Sequence, residues 1–394
     1  MPETDKRRLS RLVITCGGTG GHFYPGLSIA VTAQQRGVDV LLLLSGVNSA
    51  TQSAIAEKNG VNAVVLPQMP HPGSPVGAWR FFRGATGGLT ESLRRLRAFA
   101  PDAVLGMGSF AMTPVIVAAR MRGIPVFLHD GNTVVGKANR MFSRIARAVG
   151  CAYPPVNPAG IHAPWEVVGM PVRQKLRKQS AITKSEAVKA LNEHFSAGFA
   201  ADVMTVLVIG GSQGAASFNT TLPEAFKGFS ERLQVMHLSG RGKQEDTISA
   251  YRGFDGKLLL LESTERIEWF LGAADLVFAR AGGSTLAELM LFGKPAVLIP
   301  YPYAAEDHQL RNAEWFSEIG GGSMIDNSEL SPNSALDMLR IPAEQWRRRA
   351  AASLAAARPD AAEKMLELIE KHIQAAAWRP IPCCAQLTRS CVRA

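Results

Sequence analysis

VITCGGTGGH, residues 13–22, runs from an apolar segment through four glycines to a histidine, and VLVIGGSQGA, residues 206–215, repeats the plan in the second half of the chain. Each stretch reads as a strand, a glycine turn and the start of a helix rich in small residues. Outward from the first lie further short apolar runs: LVIT (12–15), VLLLL (40–44), AVVLP (63–67), AVLGMG (103–108), PVFLHD (125–130) and WEVVG (165–169). Outward from the second lie VMTVLVIGG (203–211), LQVMHLSG (233–240), KLLLLES (257–263), LVFARAG (276–282) and PAVLIPYP (295–302). Runs that are apolar on both faces and alternate with helix-length segments predict parallel sheets covered on both sides. The fold class is α/β: two doubly wound, Rossmann-like domains facing across a cleft. The expected boundaries are 10–170 and 171–342, with helix over about 343–378 packing back on the first domain and a disordered tail at 379–394.

Composition bounds the function. With 46% apolar and 19% charged residues over 394 positions, the chain suits a globular protein of two or three domains. Ala103–Ala119 is free of charge, but it is shorter than the roughly 20 residues of a spanning helix and holds Gly106, Gly108 and Pro114. It reads as a buried strand and helix. MPETDKRRLSR, at the start, carries no apolar signal-peptide core. Five cysteines, three of them at 383, 384 and 391, suit neither a disulfide framework nor a zinc site, and a reduced cytoplasmic setting is expected. The net charge of +10 asks for an anionic partner: nucleic acid, an acidic membrane surface or a phosphorylated substrate.

Glycine turns at strand ends let backbone N–H groups and a helix N-terminus approach an anion closely. Three such loops stand here, Gly17–Gly21, Gly106–Phe110 and Gly210–Gly214, and a fourth strand end, Arg280–Ser284, also enters a helix. A single one reads equally well as a tight turn without a ligand; four on one sheet edge favour a ligand. Neither G-x-G-x-x-G nor the Walker spacing is present, which argues against dehydrogenases and ATPases. No Asp-x-Asp occurs, which argues against a metal-held diphosphate, so no metal and no cofactor are expected. Glu288 suits ribose hydroxyls or a dipole-favoured first turn. Asp307 reads as a helix N-cap, and His308 and Gln309 face either solvent or a ligand.

In order along the chain, GGTGGHFYP, GMGSF, HDGN (129–132), GMPVR (169–173), GGSQGA, RAGGSTLAE (280–288) and EDHQLRNA (306–313) resemble the MurG family. The likeness runs from about Leu12 to about residue 325. It implies the GT-B fold and an inverting, metal-independent transfer of N-acetylglucosamine from UDP-GlcNAc to the C4 hydroxyl of the muramyl sugar of lipid I. The product, lipid II, feeds peptidoglycan synthesis at the cytoplasmic face of the bacterial inner membrane. Carried over by position, Thr19, Gly20 and Gly21 meet the sugar-phosphate side and Asn132 the GlcNAc. Arg173 and Ser212 address diphosphate and nucleotide from the second domain. Gly283, Ser284 and Thr285 wrap the diphosphate, with Glu288 on the ribose and Gln309 on the donor sugar. Met170 stands where the family commonly has asparagine, and Gly131 where a larger polar residue is usual.

His22, directly after the glycine turn, is the candidate general base, because an imidazole of near-neutral pKa can take the acceptor's proton. The competing reading has it capping the following helix. His129 and Asp130 are candidate assistants. Between residues 77 and 99, Trp79, Phe81 and Phe82 mix with Arg80, Arg83, Arg94, Arg95 and Arg97 against one acid, Glu91. That mixture suits an anionic membrane surface, with Trp79, Arg80, Phe81, Phe82 and Arg83 in contact; the alternative is an ordinary helix with solvated arginines. Rival readings are a GT-B transferase acting on a different lipid such as diacylglycerol, a silent binding protein on the same scaffold, and a nucleic-acid binder. The last lacks any recognisable motif. A cell-wall synthesis complex is an expected partner.

Overall fold

The structure is a computed structural model that describes residues 9–18, 20–68, 75–211 and 214–373, with the backbone alone for 75–82. Thr19, Ser212, the side chains of Trp79, Arg80, Phe81 and Phe82, and the tail expected at 379–394 lie outside the described residues. The chain divides into two compact units. One comprises the residues through Gly131, Val135–Arg173 and those from Asp360 on; the other comprises Asn132–Val134 and Gln174–Pro359.

In the first unit seven parallel strands, β1 (Arg11–Gly17), β2 (Asp39–Ser45), β3 (Asn62–Val65), β4 (Ala103–Gly106), β5 (Val126–Asp130), β6 (Ala148–Cys151) and β7 (Trp165–Val167), form one sheet. Their order is β3-β2-β1-β4-β5-β6-β7, so the winding direction reverses between β1 and β4. Along β1 the two-residue period sends Leu12, Ile14 and Cys16 to one face and Val13 to the other. The first face packs on helices Gly20–Gln35 and Ala361–Ile373, and the second on helix Thr113–Met121.

Helix Pro75–Phe99 buries Ser92 and Leu96 completely, so its second half is core-packed. There Arg94 and Arg95 both bind Glu91, whose carboxyl they hold down at about 2. Arg83 is exposed. Among the described residues no helix is long and apolar enough to cross a membrane.

The second unit repeats the plan with six parallel strands: β8 (Met204–Ile209), β9 (Leu233–Leu238), β10 (Lys257–Leu261), β11 (Leu276–Ala279), β12 (Ala296–Leu298) and β13 (Gly322–Met324). The order is β10-β9-β8-β11-β12-β13, with the reversal between β8 and β11.

Two sequence expectations differ from the structure. Helix is expected to return to the first unit over 343–378, yet Ala343–Ala355 stays with the second, because Trp346 sits in that unit's core. The helical run breaks around Pro359, and only Ala361–Ile373 packs on the first unit. Arg173, expected on the second domain's side, is the last residue of the first unit's middle segment, and its guanidinium lies over the Tyr24 ring at 5.0 Å.

Candidate functional site

Open α/β sheets bind ligands beyond the carboxyl ends of their strands, at the reversal of winding. In the first unit that place is framed by the loops after β1 and β4. Gly17 is irreplaceable there: a Cβ on it would stand 1.9 Å from the Ser45 carbonyl oxygen. Gly20, Gly21 and His22 form the opening turn of helix Gly20–Gln35. The His22 ring lies against Gly108, where a Cβ would meet Cδ2 at 3.2 Å and Nε2 at 3.3 Å. Gly108 has φ +94°, and Ser109 has φ +62° with ψ 156°, a region that residues other than glycine rarely enter. Strain of this kind, about 1–3 kcal/mol, persists only where the surroundings impose it. Here the Ser109 hydroxyl accepts from the Ala111 N–H at 3.2 Å.

His129 and Asp130 end β5, and both are buried. His129 Nε2 donates to the Gly169 carbonyl at 3.0 Å, which fixes its tautomer. Burial pushes its pKa down, and the neighbouring His22 adds to that; the Gly169 bond and Asp130 oppose it. His129 is therefore a neutral, oriented group. Asp130 Oδ2 accepts from the Gly136 N–H (2.9 Å) and from Asn139 Nδ2 (2.8 Å), which also donates to the His129 carbonyl. Asn139, absent from the sequence-based candidates, thus ties the β5 end together.

Gly131 and Met170, the two departures from the family pattern, are in contact. A Cβ on Gly131 would stand 2.6 Å from Met170 Cε. The thioether occupies the room that a side chain at 131 would need, so one departure accommodates the other.

In the second unit the loops after β8 and β11 frame the reversal. A Cβ on Gly214, at φ +65°, would meet the Ser239 carbonyl oxygen at 2.0 Å. After β11, helix Gly283–Leu291 opens behind Gly282, which provides no side-chain cap. Its first N–H groups, those of Gly283, Ser284 and Thr285, have no partner within the helix, and this end carries the positive pole of the helix dipole. The Ser284 hydroxyl is buried without a hydrogen-bond partner. Glu288 sits in the second turn, so a first-turn dipole role does not explain it.

Gln309 is the second residue of helix His308–Glu318, and its Oε1 accepts from the Tyr301 N–H at 3.0 Å. That bond turns the amide's two donors the other way. Asp307 holds the N-cap position but makes no cap bond; at φ +52° it is left-handed, not extended as a capping side chain requires.

The residue that organises this edge is one the sequence reading left unnamed. Asn312, fully buried, accepts at Oδ1 from the Thr133 N–H (2.9 Å) and hydroxyl (3.1 Å). Its Nδ2 donates to Asn132 Oδ1 (3.0 Å) and to the Ala281 carbonyl (2.9 Å). Asn132 and the β11 loop are thus held by one amide. Arg280 clamps the same edge, reaching the carbonyls of Ile299 and Pro300 and Asn327 Oδ1 at 2.9–3.0 Å. Among the described residues no His, Cys, Asp and Glu group has metal-site geometry.

Residues 12–151 match the glycosyltransferase family 28 N-terminal domain, and residues 205–365 its C-terminal domain. The UDP-N-acetylglucosamine--N-acetylmuramyl-(pentapeptide) pyrophosphoryl-undecaprenol N-acetylglucosamine transferase of Desulforamulus reducens is 33% identical over 379 residues, covering 92% of this chain and 98% of its own. Its counterpart in Shewanella baltica is 34% identical over 84% of this chain and 88% of its own. Among solved structures, MurG of Acinetobacter baumannii superposes with a TM-score of 0.73 at 25% identity, covering 92% of this chain and 99% of that one. The UDP-GlcNAc 2-epimerase of Neisseria meningitidis bound to UDP-GlcNAc has a TM-score of 0.67 at 12% identity, covering 92% and 100%, and so shares the fold. With sequence likeness along almost its whole length and the GT-B fold, the chain belongs to the MurG family of family 28 glycosyltransferases.

Proposed function

We propose that this chain moves GlcNAc from UDP-GlcNAc to the C4 hydroxyl of the muramyl sugar in lipid I, with inversion and without a metal, giving lipid II. The observation that carries the catalytic reading is His22, standing in the first helical turn at the winding reversal with its ring against Gly108. The acceptor oxygen attacks the anomeric carbon from the face opposite UDP. Its proton passes to His22, and the bond from that carbon to the diphosphate oxygen breaks. His129, neutral and fixed, and Asp130 shape the acceptor side. The first-turn backbone groups of Gly283, Ser284 and Thr285, at the positive pole of the helix dipole, receive the charge that develops on UDP. Glu288 takes the ribose hydroxyls, Gln309 and Asn132 the GlcNAc, and Thr19, Gly20, Gly21, Arg173 and Ser212 the remaining phosphate and nucleotide contacts.

The acceptor is a lipid, so the chain works as a peripheral protein on the cytoplasmic face of the inner membrane, within a cell-wall synthesis complex. Trp79, Arg80, Phe81, Phe82 and Arg83 meet the anionic surface. The net charge of +10 and a helix over these residues support this reading.

Purified protein given UDP-GlcNAc and a lipid I analogue, with and without EDTA, tests the proposal beside His22→Ala. Transfer should survive EDTA and fall roughly 10²–10⁴-fold in the variant, with UDP-GlcNAc binding unchanged. Activity retained by His22→Ala would remove the base assignment. UDP-GlcNAc binding without any transfer to lipid I would overturn the acceptor.

A further inference from the structure

Strand β9 carries a histidine into a core that is otherwise apolar. His237 is fully buried, on the same face of the strand as Val235. Its ring meets that of Tyr251 edge-on, with centroids 5.8 Å apart, and Tyr251 stacks on Phe226. Replacing a buried polar group and its partners by apolar groups of similar shape is close to neutral for stability. The stability of this core therefore does not call for an imidazole.

What the ring does is join separate elements through directional bonds. Its Nδ1 accepts from the Tyr251 hydroxyl at 2.9 Å, and its Nε2 donates to Asn219 Oδ1 at 3.0 Å. Asn219 stands in the opening turn of helix Ala216–Lys227, with its N–H on the Ala215 carbonyl at 3.1 Å. Its Nδ2 donates to the Ser239 carbonyl at 3.0 Å. That last bond fixes the amide, because only Oδ1 is then left to face the ring. Burial pushes the imidazole pKa down to about 3, so the ring keeps a single proton and the chain of bonds keeps its direction.

The chain ends on the loop after β8. A Cβ on Gly214 would stand 2.0 Å from the Ser239 carbonyl oxygen, so the loop backbone lies directly against that oxygen. The Gly214 N–H closes on the Gly211 carbonyl at 2.9 Å. On their other side, the Ser239 and Gly240 N–H groups bond the Leu261 and Glu262 carbonyls at 2.9 and 3.0 Å. A shift of the Ser239 carbonyl thus displaces Gly214 or opens a gap beside it. This loop borders the winding reversal of the second sheet, where the donor reading above puts the nucleotide.

We infer that His237 is a positioning residue for the nucleotide: through Asn219 it sets the Ser239 carbonyl, and with it the place of the Gly210–Gly214 loop against UDP. Fully buried, it acts through these neighbours and not by contact. The inference rests on the UDP-GlcNAc reading above and not on the choice of acceptor.

Calorimetric titration of UDP into the full-length protein tests this without an acceptor. His237→Leu and Asn219→Ala cut the chain at successive links, and each should raise the Kd for UDP about tenfold, the scale of one lost hydrogen bond. The double variant should do no worse than either single one, since both interrupt the same chain. His237→Gln sets an amide N–H near the place of Nε2 and should keep the Kd within about twofold of the unaltered protein. Asn219→Ala leaves a good helix former in the helix and carries the test by itself if His237→Leu does not fold.

Leu339→Ala is the control for lost stability alone. It opens the same core beside Met204 and Pro295, at the other ends of the strands. It should lower the urea midpoint at least as far as His237→Leu and leave the Kd unchanged. Equal UDP binding by the unaltered protein and the cut variants would overturn the inference and leave the donor reading standing. So would additive losses, no recovery in His237→Gln, or an equal loss in Leu339→Ala. No UDP binding by the unaltered protein would overturn the donor reading, and the inference with it.

Discussion

The two units share a sheet plan, a winding reversal and a glycine turn, yet present different groups at the same place. At the first, an imidazole stands in the opening helical turn, seated on Gly108 beside the strained Ser109, with the buried His129 and Asp130 next to it. At the second, the opening turn is Gly283, Ser284 and Thr285, with nothing titratable among them and an unpartnered hydroxyl. The scaffold supplies the same backbone donors twice. On the function proposed above, a few side chains in the first turn decide whether the edge moves a proton or holds an anion.

If that division holds, damage to the first edge should appear in kcat and damage to the second in KM for the donor. Gly108→Ala would force a Cβ into the His22 ring at a strained φ and should lower kcat about 10–100-fold, leaving KM for UDP-GlcNAc near its original value. Steady-state kinetics check this, and a rise in donor KM alone would break the comparison. Asn312→Ala leaves the Thr133 N–H and the Ala281 carbonyl unpartnered. It should raise KM for UDP-GlcNAc about tenfold and lower stability by about 1–3 kcal/mol in urea melts. A loss confined to kcat would argue that Asn312 serves the chemistry.

The smallest effect sharpens what the units have in common. His129 and His237 are both buried and neutral, with folded pKa values below the ordinary one, that of His237 at about 3. His237 Nε2 donates to Asn219 Oδ1 at 3.0 Å, and Nδ1 accepts from the Tyr251 hydroxyl at 2.9 Å; burial of the ring is what disfavours a second proton. Unfolded histidine takes up its proton near pH 6.5, so between that value and about 3 the unfolded chain binds more protons. Stability is therefore fully present above pH 6.5 and declines as the pH falls below it. Urea midpoints at pH 7.5 and 5.0 should differ, with a shallower slope in His237→Gln; equal midpoints would contradict this.

The sheets were legible because β1, β2 and β8 hold nearly continuous apolar runs, buried on both faces. Two strands were not. β6 is short and contains Gly150, where a Cβ would stand 2.5 Å from Met365 Sδ; its composition answers to the helix above it. β13 is Gly-Ser-Met, with no apolar run at all, and is a strand through its pairing with β12. Glycine turns announced the candidate site, since turn chemistry is local. Asn312 and Asn139 were hidden because an asparagine in a helix looks solvent-facing until its distant partners are in place. The Gly131–Met170 contact shows the same limit: two unusual residues become one ordinary packing arrangement only in three dimensions.

Helix Ala361–Ile373 bears on how the molecule is made. Met365, Leu366, Leu368 and Ile369 are at most 2% exposed within the first unit's core. At about 1.5–3 kcal/mol each, their burial rivals the whole net stability of a typical domain. Yet these residues emerge from the ribosome only after the second unit has been synthesised. At about 5–20 residues per second, the first unit waits roughly 10–40 s, its sheet covered on one face and short of its last helix on the other. Over that interval the nascent chain carries an apolar surface that invites chaperones or aggregation, and a ribosome stalled before Asp360 would release a first unit unable to close its core.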